Sequence, residues 1–124
     1  MTLRPGFEPK SLTQFCALSY RGQQSDQFSV AGSIVILILI YSEGAGVRLL
    51  VSPDWRQIVD PADQAYVAEI LSDFRERAQS VPEALLEQVS SLSTGPLVTH
   101  TCGIRLEEYP ELHARSLAFA ELEG

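Results

Sequence analysis

Cysteine is scarce in this chain. Cys16 and Cys102 are the only two, and most of the sequence lies between them. Two cysteines are too few for the disulfide framework that staples small secreted domains, and free cysteine usually packs as a small apolar residue. A single bridge between them is compatible with the sequence, which sets no distance between the two positions. The expected state is reduced and the expected compartment the cytoplasm.

Long hydrophobic runs are also missing. The longest, Val30 to Tyr41, covers twelve residues, whereas a transmembrane helix needs about 20. Some thirty residues precede it and no small-residue cleavage site follows, so neither a signal peptide nor a membrane anchor is expected. Isoleucine and valine dominate the run, which favours a strand.

Positive charge is the third shortage. Net charge is −7, and it is unevenly placed. Residues 1–29 carry a net +1, residues 30–52 balance at zero, and residues 53–124 set five arginines against thirteen carboxylates, a net of −8. Nucleic-acid affinity rests on neutralising phosphates with Lys and Arg, so a nucleic-acid partner is not expected. A basic protein partner would be attracted and its encounter accelerated. Acidic surfaces also serve plain solubility.

Catalytic signatures are absent: there is no G-x-S-x-G, H-E-x-x-H, Walker loop or EF-hand pattern, and no internal repeat. Gly44-Ala45-Gly46 is too short for a phosphate-binding loop and reads as a hairpin turn. No cofactor is expected.

What remains is an ordinary globular composition, 45% hydrophobic and 20% charged in 124 residues, which suits a single domain over 1–124 with one core. Residues 1–11, with Pro5, Gly6 and Pro9, show no periodicity and read as a loosely ordered segment. Leu12 to Tyr20 alternates as a short strand, and residues 21–27 read as a loop. Phe28 to Tyr41 is the strongest strand signal. Both faces of Ile34–Ile40 are apolar, so the strand must be covered on both sides, at the centre of a sheet or in a subunit contact. Val47–Val51 is its hairpin partner, ended by Pro53.

Asp60-Pro61-Ala62-Asp63 opens a helix, with Asp60 as cap and Asp63 at the positive end. Tyr66, Val67, Ile70, Leu71, Phe74 and Ala78 form its apolar stripe, and Asp73 and Arg77 are spaced to pair on the outer face. Ser80-Val81-Pro82-Glu83 has the spacing of a capping box for a second helix bearing Leu85, Leu86, Val89 and Leu92. Gly95 and Pro96 stop it. The short link predicts an αα-hairpin. Leu97–Cys102 alternates as a strand, while Pro110–Leu122 fits a helix or a strand. The expected class is α+β: an antiparallel sheet of about four strands, packed on one face by a helical hairpin, in the order β-β-β-α-α-β with a C-terminal helix as an option.

Two groups of residues carry candidate function. Cys16, His100, Cys102 and His113 make a zinc-like inventory, although close ligand pairs such as C-x2-C are lacking. His100 and Cys102, two apart on a strand, are expected on one face, where the imidazole could activate the thiol. The loop Ser52–Gln57 holds Asp54, Trp55 and Arg56, and Trp and Arg are enriched at interface hot spots; the plainer alternative has Trp55 capping the core and Asp54 pairing with Arg56. The carboxylate pairs Glu69/Asp73, Glu83/Glu87 and Glu107/Glu108 read as solvated helix faces.

Three function classes follow. The first is a small acidic interaction or regulatory module, non-enzymatic and open to homodimer formation. Its expected partner is a protein, either basic or a second copy of the chain. The second is a thiol- or metal-dependent protein built on His100 and Cys102. The third is a small-ligand binder with a pocket between sheet and helices, lined by Trp55, Tyr66 and Phe74.

Overall fold

A computed structural model describes residues 13–21 and 34–122. The N-terminal segment 1–11, most of the loop at 21–27 and the start of the strand at 28–33 lie outside the described residues. The protein is α+β. Five strands, β1 (Thr13–Tyr20), β2 (Ile34–Ser42), β3 (Gly46–Val51), β4 (Leu97–Gly103) and β5 (Ala120–Glu121), form one antiparallel sheet in the order β4-β1-β2-β3-β5. Four α-helices accompany them: α1 (Trp55–Ile58), α2 (Gln64–Ser80), α3 (Pro82–Val89) and α4 (Pro110–Ala118).

β2 occupies the middle of the sheet because neither of its faces can meet water. Leu37 and Leu39 point to one side, where Val67, Leu71 and Phe74 of α2 and Leu85, Leu86 and Val89 of α3 bury them. Val35 and Ile38 point to the other side, toward Leu112 of α4. The strand is therefore enclosed within the chain itself, by helices on both faces. Val81 alone separates α2 from α3, and the two helices pack side by side, tied by a 3.0 Å hydrogen bond from Arg77 Nη1 to Gln88 Oε1.

Several expectations change at this level. Among the described residues the sheet has five strands, where about four were expected. Pro110–Leu122 is both alternatives at once, a helix to Ala118 and then the two-residue strand β5 against Leu50 and Val51 of β3. The loop Ser52–Gln57 contains α1, whose four residues are too few to display a helical period. Tyr66 leaves the apolar stripe of α2 and stands 55% exposed. Neither helix start uses its side-chain cap: Asp60 and Asp63 make no capping bond, and Val81 rather than Ser80 occupies the cap of α3. Ser80 Oγ instead donates back to the Glu76 carbonyl at 3.0 Å.

Asp63 has a different task. Its buried carboxylate accepts a 2.6 Å hydrogen bond from Tyr20 Oη, which in turn accepts from the Asp60 amide at 3.1 Å. The start of α2 is thereby fastened to β1 across the core. Burial and the Asp63 bond raise the Tyr20 phenol to about 12, above its usual value of about 10.

Both strata of the core can be probed. Ile38→Ala, at a site with no solvent exposure, should destabilise the fold by about 2–5 kcal/mol in urea denaturation. Tyr20 works through protonation. Between about pH 10 and 12 the folded chain holds a proton that the unfolded chain has released, so stability should fall as pH rises through that window and be intact below it. Tyr20→Phe should cost about 1–3 kcal/mol at neutral pH by removing a donor to a buried carboxylate, and should flatten this alkaline slope.

Candidate functional site

β1 and β4 run antiparallel at one side of the sheet, and their register sets Cys16 directly opposite Cys102. The two sulfur atoms are 2.8 Å apart as free thiols, with either S–H able to donate. Cys16 is buried at 2% exposure, whereas Cys102 is open to solvent. Cys102 Sγ also approaches the Ser90 carbonyl at the end of α3, at 4.0 Å. Burial raises the Cys16 pKa, and the hydrogen bond and charge of Cys102 add to the effect. Cys16 is thus held as the protonated thiol, beside an accessible partner.

The expected partnership of His100 with Cys102 does not form, and the cause is a β-bulge. Ala17 pairs with Thr101 but Leu18 pairs with Thr99, leaving His100 as the extra residue. A bulge breaks the two-residue alternation of side chains. Thr99 accordingly turns to the α3 side, where its hydroxyl donates to the Val89 carbonyl at 2.6 Å and accepts from the Leu92 amide at 2.7 Å. Cys102, three positions on, shares that side. His100 lines a cleft of about 370 Å³ on the opposite face with Val35, Tyr109 and Arg115.

His113, on α4, lines a second and larger cleft of about 940 Å³ together with Ile40, Leu50 and Phe119. Of the four zinc-like residues, the fold brings Cys16 and Cys102 together and leaves His100 and His113 apart from them. Among the described residues no group of three or more His, Cys, Asp or Glu side chains is placed to hold a metal ion. The larger cleft is edged by Ile104 and Leu117, which are 61% and 76% exposed.

The Trp55 group sits elsewhere. Trp55 belongs to the core at 8% exposure, and the Arg56 guanidinium lies over its ring, 4.4 Å from the centroid. Asp54 and Arg56 are exposed, while Gln64 Nε2 fixes the segment by donating to the Arg56 and Val59 carbonyls at 2.7 and 3.2 Å. The indole is thus mostly withdrawn from any contact surface. Trp55, Tyr66 and Phe74 line none of these clefts.

The thiols themselves line a cleft of about 660 Å³ together with Leu86, Phe15, Glu43, Glu83 and Glu87. No Lys, Arg or His is among its described lining residues. Glu43 comes from the β2–β3 turn; Glu83 and Glu87 are four apart on α3 and so share a face. Tyr41 Oη donates to Glu83 at 3.2 Å. Its phenol is raised by desolvation, by that bond and by the charges of Glu83 and Glu43. Glu83 and Glu87 are exposed, as a solvated helix face would have them, and what sequence reasoning missed is that they line the cleft of the thiols. The available signal was that Cys16 and Cys102 both fall on strands, so that pairing of those strands would unite them.

No protein-family model matches the chain, and neither a curated protein nor a solved structure matches it significantly.

Gly103, next to Cys102, closes the end of this site by close packing. A Cβ there would lie 2.9 Å from Phe15 Cε1 and 3.1 Å from Tyr109 Oη. Phe15 is 1% exposed and stacks edge-on against half-buried Tyr109 with ring centroids 5.2 Å apart, so the Phe15 ring has little free space to yield. Gly103→Ala should therefore lower stability by about 1–3 kcal/mol, read from urea midpoints.

Proposed function

We propose that the protein is a small acidic regulatory module, non-enzymatic, whose switch is reversible disulfide formation between Cys16 and Cys102. The observation that carries this reading is the 2.8 Å approach of the two thiols on facing strands. Reaction would begin at exposed Cys102, since the accessible thiolate is the nucleophile. Cys16 would then resolve the mixed disulfide, becoming the partner sulfur of an internal bridge. A cytoplasmic setting fits, because a reducing pool keeps such a pair as thiols until an oxidant arrives.

The consequence for the fold is physical rather than catalytic. The bridge would close a chain loop spanning 86 positions, which in the chain-entropy view stabilises the folded state by up to about 4–5 kcal/mol. It would also pin β4, which is held laterally by β1 alone among the described strands.

A second reading concerns the partner. The exposed sides of α2 and α3 carry Glu69, Asp73, Glu76, Glu83 and Glu87, with Arg77 engaged by Asp73 at 3.0 Å. This face favours a basic protein, whose association should weaken with salt. Self-association has less support, because most of the apolar strand at Ile34–Ile40 is covered by the chain's own helices, which leaves the contact to scattered exposed side chains such as Tyr66, Val81, Ile104 and Leu117.

Peptide mapping tests the main reading. Treatment of the reduced protein with a small disulfide oxidant should give a Cys16–Cys102 bridge, lighter by two hydrogen atoms and reversed by dithiothreitol. Cys16→Ser and Cys102→Ser should each abolish it. If both thiols remained open to alkylation, or formed only intermolecular bonds, the switch would be rejected.

A further inference from the structure

The thiols share their cleft with three carboxylates and no described basic residue, and this arrangement bears on which oxidant reaches them. Glu43, Glu83 and Glu87 line the cleft into which Cys102 opens, so a molecule reacting there does so beside their carboxylates. Glu83 and Glu87 are both exposed, so their charges face the incoming reagent. A volume of about 660 Å³ lies in the range that admits small organic ligands, roughly 300–1,000 Å³. Fields at a cleft mouth raise the local concentration of oppositely charged species and deplete those of like charge.

We infer that the natural reactant of the Cys16–Cys102 pair is a disulfide flanked by positive charge, such as an ammonium-bearing disulfide, rather than an anionic one. The inference rests on the dithiol reading and adds the substrate class to it. The chemistry is two successive exchanges. The Cys102 thiolate attacks one sulfur of the incoming disulfide and expels the first thiolate, leaving a mixed disulfide. Cys16 Sγ attacks Cys102 Sγ and expels the second thiolate, which takes up the Cys16 proton as it leaves. The protein dithiol loses two electrons, and the reactant disulfide gains them and leaves as two thiols.

The carboxylates act at two moments. They concentrate a cationic reactant at the mouth, and they neutralise its positive group while the mixed disulfide awaits resolution. An anionic reactant meets repulsion at both.

The test compares cystamine, 2-hydroxyethyl disulfide and dithiodiglycolate on the reduced protein. Rates of internal disulfide formation are each normalised to the rate of the same reagent with a small neutral thiol. At low ionic strength cystamine should exceed dithiodiglycolate by about tenfold or more, with the neutral reagent between them, and the gap should shrink at high salt. Glu83→Gln/Glu87→Gln should remove most of the preference. Glu69→Gln/Glu76→Gln, which changes net charge equally on the exposed side of α2, should retain it. Equal normalised rates for all three reagents would overturn the inference while leaving the dithiol switch standing. Equal loss in the two double variants would also overturn it, assigning the effect to overall charge. Failure of every reagent to form the bridge would reject both.

Discussion

Everything in this fold is arranged around a strand that has no polar face. Val35, Leu37, Ile38 and Leu39 are buried to at least 95%, and each apolar side chain of that kind contributes about 1.5–3 kcal/mol when removed from water. An amphipathic strand could lie on one layer of helices with its other side wet. β2 cannot, so the chain must return after the α2–α3 hairpin to cover the second face, which it does with α4. The three-layer architecture follows from the composition of a single strand.

The central position of β2 fixes what flanks it. β1 and β3 pair with its two sides, and the outer places fall to β4 and β5, which arrive from the far end of the chain. The thiol pair is a product of this order. Cys16 lies on an inner strand and Cys102 on an outer one, so one sulfur is enclosed and the other is open. That asymmetry suits the stepwise exchange proposed above, with the open thiol meeting the reactant and the enclosed one closing the bridge.

Much of this was legible from the residues and some was not, for identifiable reasons. The isoleucine-rich run announced β2 and its two-sided burial, and the 3.6-residue spacing of Val67, Leu71 and Phe74 announced α2. Elements of two and four residues, β5 and α1, are too short to carry any period. Pro110–Leu122 looked ambiguous because it changes from helix to strand at Phe119. The pairing of His100 with Cys102 failed because strict alternation holds only in an uninterrupted ladder, and a bulge leaves no reliable trace in a single sequence. The approach of Cys16 to Cys102 was hidden by their separation along the chain, since contact between first and fourth strands depends on topology. Asp63 looked like a helix-start charge and is instead a buried acceptor, a role set by where Tyr20 reaches.

The bulge at His100 has one more effect, on how copies of the chain meet each other. β4 borders the sheet, and among the described strands only β1 is bonded to it. A flat, regular border offers a row of amides and carbonyls onto which another molecule can add a strand, and from which fibrous stacking can grow. At His100 the ladder loses its repeat and the strand twists locally. An incoming strand could match the bonds on one side of that point but not continue in register past it. The same irregularity that parts His100 from Cys102 thus interrupts the border as a template for another strand.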